Sequence, residues 1–224
     1  MLLALDSATP AVSVAVHDGT GVLARRAHLD PRRHAEVLAP LVEQVLAEAG
    51  VRGRDLDEVL VGVGPGAFTG LRVGLVTAAT LGLAWDVPVH GACSLDALAA
   101  AHLAQRVGAG ADGGPGFVVV TDARRREVFW ARYDAAGRRC QGPAVSVPQA
   151  VPLDVAAMVG AGALAHPEVF VAAVPPEHPD AGWLAQAVVT GRAERLAPSP
   201  LYLRRPDARP PGERKRVLAP RSAR

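Results

Sequence analysis

The feature that most restricts the fold of this chain is a repeat. Residues 2–5 form an apolar run ending at Asp6, Val12 to Val16 then alternates, and Asp18-Gly19 marks a hairpin before a third extended segment through His28. The same order returns with an apolar run at residues 117–120 ending near Asp122, then Val128 to Tyr133, a turn at Asp134 to Gly137, and a segment through Ala144 to Val147. Alternation of this kind predicts half-buried strands, and Asp-Gly between two of them favours a tight turn. Asp6 to Asp18 and Asp122 to Asp134 are both twelve residues apart. An internal duplication explains the match and confines the chain to folds built from two similar units.

The segments after the three strands fix the class. His34 to Ala49 places apolar residues at 37, 38, 41, 42, 45, 46 and 49, which is the stripe of an amphipathic helix, and Gly50 closes it. Pro40 lies inside, where its ring predicts a kink or a restricted start. Val59 to Val63 reads as a buried strand, Thr69 to Trp85 as a helix, Val87 to His90 as a strand and Ser94 to Arg106 as a helix. The first half is therefore βββαβαβα. The second half repeats this more weakly, with a helix expected near Val155 to Ala165, a strand at Val169 to Val174 and a helix at Ala181 to Thr190. The expected organisation is an α/β fold of two βββαβα-type halves with mixed sheets. These halves occupy residues 1–107 and 117–203, joined by a glycine-rich linker at 108–116 and followed by a basic tail at 204–224.

The tail stands apart in charge. It holds Arg204, Arg205, Arg209, Arg214, Lys215, Arg216, Arg221 and Arg224 against Asp207 and Glu213, a net +6, which leaves the preceding chain at −4 within an overall +2. With four prolines and almost no apolar side chains it cannot bury enough surface to fold, so it is expected to be disordered. Such an arm suits either solvent or a nucleic acid. The opening residues carry no basic leader before their apolar run, so a first strand is expected there and not a signal peptide. The uncharged run Val73 to Trp85 falls short of the roughly 20 residues that cross a bilayer. Cys93 and Cys140 lie far apart with no CxxC pairing, which suits a reducing, cytoplasmic setting and gives neither a disulfide framework nor a zinc site.

The stretch GVGPGAFTGLR, residues 62–72, concentrates backbone freedom directly after a strand. Gly62, Gly64 and Ala67 fit a dinucleotide fingerprint, but Asp86 precedes the next strand where an acidic residue should end it, and Pro65 removes an N–H from the turn. A Walker loop needs a lysine beside its last glycine, and Lys215 is the only lysine in the chain. The better reading is close packing. Gly70, Gly74, Ala78 and Gly82 recur every four residues, so one ridge of the helix is nearly bare backbone while the other side carries Leu71, Val73, Leu75, Val76, Leu81 and Leu83. A helix apolar all round must be covered on both sides, by this chain or by a partner. The seven histidines include no pair at i, i+3 or i, i+4, there is no GxSxG, and Ser94 is placed to cap the helix it opens.

Taken together, LALDSATPAVSVAV, RRHAEVLAPLVEQVL, GVGPGAFTGLRVGL, GACSLDALA, TDARRREVFWARYD and PLYLR resemble the TsaB (YeaZ) family over positions 2 to about 205. That resemblance implies the duplicated, RNase H-like architecture of actin-like ATPases. It also implies a non-catalytic subunit for the synthesis of N6-threonylcarbamoyladenosine in tRNA, with TsaD as catalytic partner, TsaE acting through the TsaD–TsaB complex and tRNA reached through that complex. A homodimer is implied when TsaD is absent. TsaD holds metal through two histidines four apart, whereas VPVHGACSLDAL offers His90 alone, so no metal is expected. In the family the first two helices pack on the matching helices of TsaD, which makes His34, Leu38, Leu41, Val42, Val45, Arg72, Gly74 and Ala78 the candidate contacts, beside the glycine-loop residues Gly64, Gly66 and Gly70. Asp6, Ser7 and Thr9 sit where actin-like ATPases grip phosphate; they form either a degenerate nucleotide site, binding ATP weakly or only in the complex, or a capped turn. An actin-like ATPase or kinase, or a metallopeptidase-like enzyme active by itself, is the alternative.

Overall fold

The computed structural model describes residues 1–106, 115–171 and 173–204, and most of the expected linker and nearly all of the basic tail lie outside them. In the first half the chain runs through β1 (Leu2–Asp6), β2 (Ala11–His17), β3 (Val22–Leu29), α1 (His34–Ala49), β4 (Glu58–Gly62), α2 (Phe68–Trp85), β5 (Val89–Ala92) and α3 (Ser94–Arg106). The second half continues with β6 (Phe117–Asp122), β7 (Val128–Tyr133), β8 (Arg139–Ser146), β9 (Ala157–Val159), α4 (Ala161–Leu164), β10 (Ala173–Val174) and α5 (Ala181–Val189). Each half makes one five-stranded sheet, ordered β3-β2-β1-β4-β5 and β8-β7-β6-β9-β10. In both, the first three strands are antiparallel and the last two join in parallel. This is the RNase H-like unit used twice, the duplicated fold of actin-like ATPases.

Alternation along each strand assigns the layers. Leu3 and Leu5 of β1, Val12, Val14 and Val16 of β2, and Val59 and Val61 of β4 face Leu38, Leu41, Val42 and Val45 of α1 and Ala78 of α2. Leu2, Ala4, Ala15 and Leu60 face the other way, onto α3 and α5. The last helix thus returns from the second half to cover the first sheet, where the Ser13 hydroxyl accepts the Ala181 N–H at 2.9 Å and His17 Nε2 meets Gln186 Oε1 at 3.0 Å. Between the sheets lies α3, with Leu95, Leu98 and Ala99 against Phe117, Val119 and Tyr133. It is pinned there by Asp96, which accepts from the Tyr133 hydroxyl at 2.7 Å and pairs with Arg139 at 3.2 Å, while burial pushes its carboxyl up.

Two expectations change. Residues 155–165 are not one helix: Gly160 at φ 114° breaks the segment, its first part pairs with β6 as strand β9, and only four residues after it are helical. The last parallel strands also shift, with β5 beginning at Val89 because Asp86 ends α2 in the left-handed region, and β10 reduced to two residues. Helix α1 runs through Pro40 from His34 to Ala49. Although α2 has the length and apolar content of a bilayer span, its Gly70, Gly74, Ala78 and Gly82 face packs on β1, β4 and β5.

Candidate functional site

The glycine loop and α2 close over the turn that leaves β1. Ala67 N–H donates to the Ala8 carbonyl at 3.1 Å, and a side chain on Gly66 would collide with that carbonyl. One turn later the Ser7 hydroxyl donates to Gly70 C=O at 2.9 Å and accepts from Gly74 N–H at 3.1 Å, bridging two groups that a helix ordinarily pairs with each other. A Cβ on Gly74 would land on that hydroxyl. The bare ridge is therefore a seat for the chain's own first turn. Thr9 caps the same turn, its hydroxyl accepting Ala11 N–H at 3.4 Å, while its carbonyl accepts from His34 Nε2 at 2.8 Å.

Asp6 and Ser7 are fully covered. Asp6 Oδ1 accepts Ala8 N–H at 2.9 Å, and Oδ2 faces the Ser94 hydroxyl without a hydrogen-bond partner. Burial pushes the carboxyl up to about 6, against the pull of Ser94 and of Ala8 N–H. The geometry is that of a capped, buried turn. Ser94 does not cap α3; its hydroxyl accepts Gly64 N–H at 3.1 Å, and Gly64 C=O accepts Ser94 N–H at 2.8 Å. Cys93 is buried and its thiol is pushed up to about 12 by desolvation. His90, half-buried on β5, lies 3.8 Å from Glu58, which Arg195 holds in a two-point pair at 2.7 and 3.0 Å. Two open clefts, of about 310 and 720 Å³, are lined by Arg25, Gln105, His178 and Trp183 and by Arg138, Arg139, Arg192 and Glu194, and neither touches the β1 turn.

Most of the candidate interface lies inside the chain. His34, Leu38, Leu41, Val42, Val45, Gly74 and Ala78 are all buried, facing its own sheet or its first turn. Of the eight candidates only Arg72 is exposed. The exposed side of α2 is instead Phe68, Arg72, Val76 and Leu83, with Val76 at 65% and Leu83 at 87% exposure. These residues keep an i, i+4, i+8, i+15 spacing along one face. At its start Arg72 covers the Phe68 ring at 3.7 Å, Phe68 stacks on Tyr202 at 5.2 Å, and Arg72 Nε donates to the Tyr202 hydroxyl at 2.9 Å. Beside it α1 exposes Ala39, Pro40, Glu43 and Ala47. Of the apolar side expected opposite the glycines, Leu71 is buried and Val73, Leu75 and Leu81 pack against the core of the first sheet, so only Val76 and Leu83 stand open.

The family model described as TsaD, tRNA N6-adenosine threonylcarbamoyltransferase, matches residues 14–175. An uncharacterized protein of Mycobacterium tuberculosis is 47% identical over 214 residues, covering 93% of this chain and 94% of its own. The tRNA threonylcarbamoyladenosine biosynthesis protein TsaB of Escherichia coli is 35% identical over 135 residues, 59% of this chain and 54% of that protein. Among solved structures, YeaZ from Pseudomonas aeruginosa is 31% identical with a TM-score of 0.72, covering 90% of this chain and 99% of YeaZ. A second Pseudomonas aeruginosa crystal structure, described as similar to peptidase YeaZ, is 32% identical with a TM-score of 0.76, covering 91% of this chain and 99% of the other. With the repeated sheet order and these matches together, the chain belongs to the TsaB/YeaZ family, within the wider group that the TsaD model describes.

Proposed function

We propose that this chain is the non-catalytic subunit of a cytoplasmic assembly that makes N6-threonylcarbamoyladenosine in tRNA, and that it binds and activates a TsaD-type transferase. The observation that carries this reading is the outer face of α2. Phe68, Val76 and Leu83 form an apolar row on a surface that a free monomer would leave in water, and α1 packs against the same helix. Two adjacent helices with such a face suit two helices of a paralogue, in an interface burying about 1,500 Å². The name of the Escherichia coli relative supports the pathway. The buried Asp6 and Ser7, and His90 with no second histidine four residues away, favour a supporting role over chemistry in this chain. No cofactor is needed in this reading, TsaE acts on the complex, and in the absence of TsaD two copies of the chain pair through the same face.

Co-expression with the organism's TsaD, then size-exclusion chromatography with light scattering, tests the proposal. A stable heteromer is expected, with no ATP turnover above background by the isolated chain. Separate elution of the two proteins, or ATP hydrolysis lost on mutating Asp6, would sink it.

A further inference from the structure

The larger of the two clefts lies where α5, which covers the first sheet, ends against β8, the edge strand of the second. Arg138 and Arg139 line it from the start of β8, and Arg192 lines it from the turn that follows α5. These segments are distant in sequence but touch, since a Cβ on Gly137 would stand 3.9 Å from Arg192 Cδ. Backbone bonds hold both in place. Arg138 N–H donates to Asp134 Oδ1 at 2.8 Å, and Arg192 N–H donates to Ala187 C=O at 2.8 Å.

Three guanidinium groups thus share a concavity of about 720 Å³, and among the described residues that line it Glu194 is the one carboxylate. Cations gathered in one place repel each other unless an anion offsets them. Arg139 has its anion inside the protein: Asp96, 3% exposed, pairs with its Nε at 3.2 Å, and Nη1 donates to Gly142 C=O at 3.4 Å. That pair fixes the Arg139 fork at the cleft wall. Arg138 and Arg192 have no such counterpart; Arg192 Nη1 donates to the neutral Thr190 hydroxyl at 3.1 Å, and among the described residues neither side chain pairs with a carboxylate. The turn between β6 and β7 is the contrast. Arg124, Arg125 and Arg126 stand there in the left-handed region, and Arg124 is already paired with Asp122 at 3.3 Å.

We propose that this cleft binds a small phosphate-bearing polyanion of the pyrophosphate kind, held between the Arg138, Arg139 and Arg192 guanidinium groups. Guanidinium forks match phosphate oxygens in two-point geometry, and a tetrahedral phosphate accepts forks from several directions where a planar carboxylate does not. A concavity of this size suits a small molecule. The rest of the wall, Cys140, Gln141, Ala193 and two glycines, gives no aromatic face on which a nucleobase could stack, so the ligand is compact and polar throughout.

The test uses the full chain and pyrophosphate, with citrate and a short oligouridylate as comparison anions. Cys140 is exposed and lines this cleft while Cys93 is buried, so the rate of iodoacetamide alkylation at Cys140, followed by mass spectrometry, localises whatever binds. Calorimetry supplies the affinity. Saturating pyrophosphate should slow alkylation of Cys140 severalfold. The variant Arg138→Ala/Arg192→Ala should bind pyrophosphate about tenfold more weakly or worse and lose the protection, because charge-assisted hydrogen bonds from two forks go with it. A control, Arg25→Ala/Arg26→Ala, removes the same charge from the other cleft and should change neither. Melting followed by circular dichroism confirms the fold of each. Undetectable pyrophosphate binding by the wild type overturns the proposal, as does binding that leaves Cys140 alkylation unchanged or an equal loss in the two double variants. Protection of Cys140 by citrate or by the oligouridylate but not by pyrophosphate also overturns it, and would assign the cleft to a carboxylate or to a nucleic-acid backbone.

Discussion

The turns after the first strand of each sheet begin alike and end in opposite surroundings. Asp6 and Asp122 each accept the N–H two residues ahead, at 2.9 and 2.7 Å, yet Asp6 is 0% exposed and Asp122 is open to solvent. The difference lies in what covers them. Between β4 and β5 the chain inserts the 18 residues of α2, whose glycines let it press onto residues 6–8; between β9 and β10 it inserts the 4 residues of α4. Likewise a 16-residue α1 comes after β3, whereas a three-residue 3-10 turn, Pro148–Ala150, comes after β8. One unit has placed its turn in the core and its helices in a broad outer face. The other has kept a slim cover, and its turn remains free to carry arginines.

The comparison breaks first at Gly74. Gly74→Val drives a side chain into the Ser7 hydroxyl and should cost about 3 kcal/mol or more, a fall in melting temperature of about 10 °C. No position on the arginine turn should approach that. The next largest effect is on pH. The Asp6 carboxyl lies at about 6 in the folded chain against 3.8 ordinarily, so the native state holds its proton more tightly than the unfolded chain. The stabilisation is fully present below pH 4 and is lost as pH rises to and through 6, by about 3 kcal/mol in all. Asp6→Asn should therefore grow more stable relative to wild type across that window in denaturant melts, while Asp122→Asn, on the open turn, serves as the control.

Smaller effects sharpen the contrast. Ser7→Ala should cost only about 1 kcal/mol, because Gly70 C=O and Gly74 N–H stand four residues apart in a continuous helix and satisfy each other without the hydroxyl. Arg126→Gly should move the melting temperature by less than about 2 °C, since relief of the left-handed conformation offsets the added chain entropy of glycine. A drop as large as that of Gly74→Val would show that the arginine turn is as integral to the fold as the β1 turn.

The periodicity of residues 2–106 was enough to reach the element order of the first half, because its helices are long and its strands alternate cleanly. Between residues 155 and 174 the same reasoning failed. Gly160 and Gly162 sit in a segment whose composition suits a helix, but a parallel partner in β6 and the backbone beside Thr121 claim it. Less of the packing around the candidate site was legible. Spacing identified α1 and α2 as helices, and the family resemblance singled them out as candidate contacts, but spacing does not say which of two apolar sides faces the sheet. The glycine ridge turned inward because Ser7 and Ala8 need backbone contact, and that sent Val76 and Leu83 outward.

That orientation is the central claim, and Val76→Glu/Leu83→Glu tests it most directly. Both residues are exposed in the monomer, so the variant should fold with an unchanged circular dichroism spectrum and melting temperature. Titration calorimetry against purified TsaD should show affinity weakened at least about a hundredfold, because two carboxylates would be buried without partners in the interface. A folded variant that binds TsaD as tightly as wild type and with the same stoichiometry would contradict the account and place the docking surface elsewhere on the molecule.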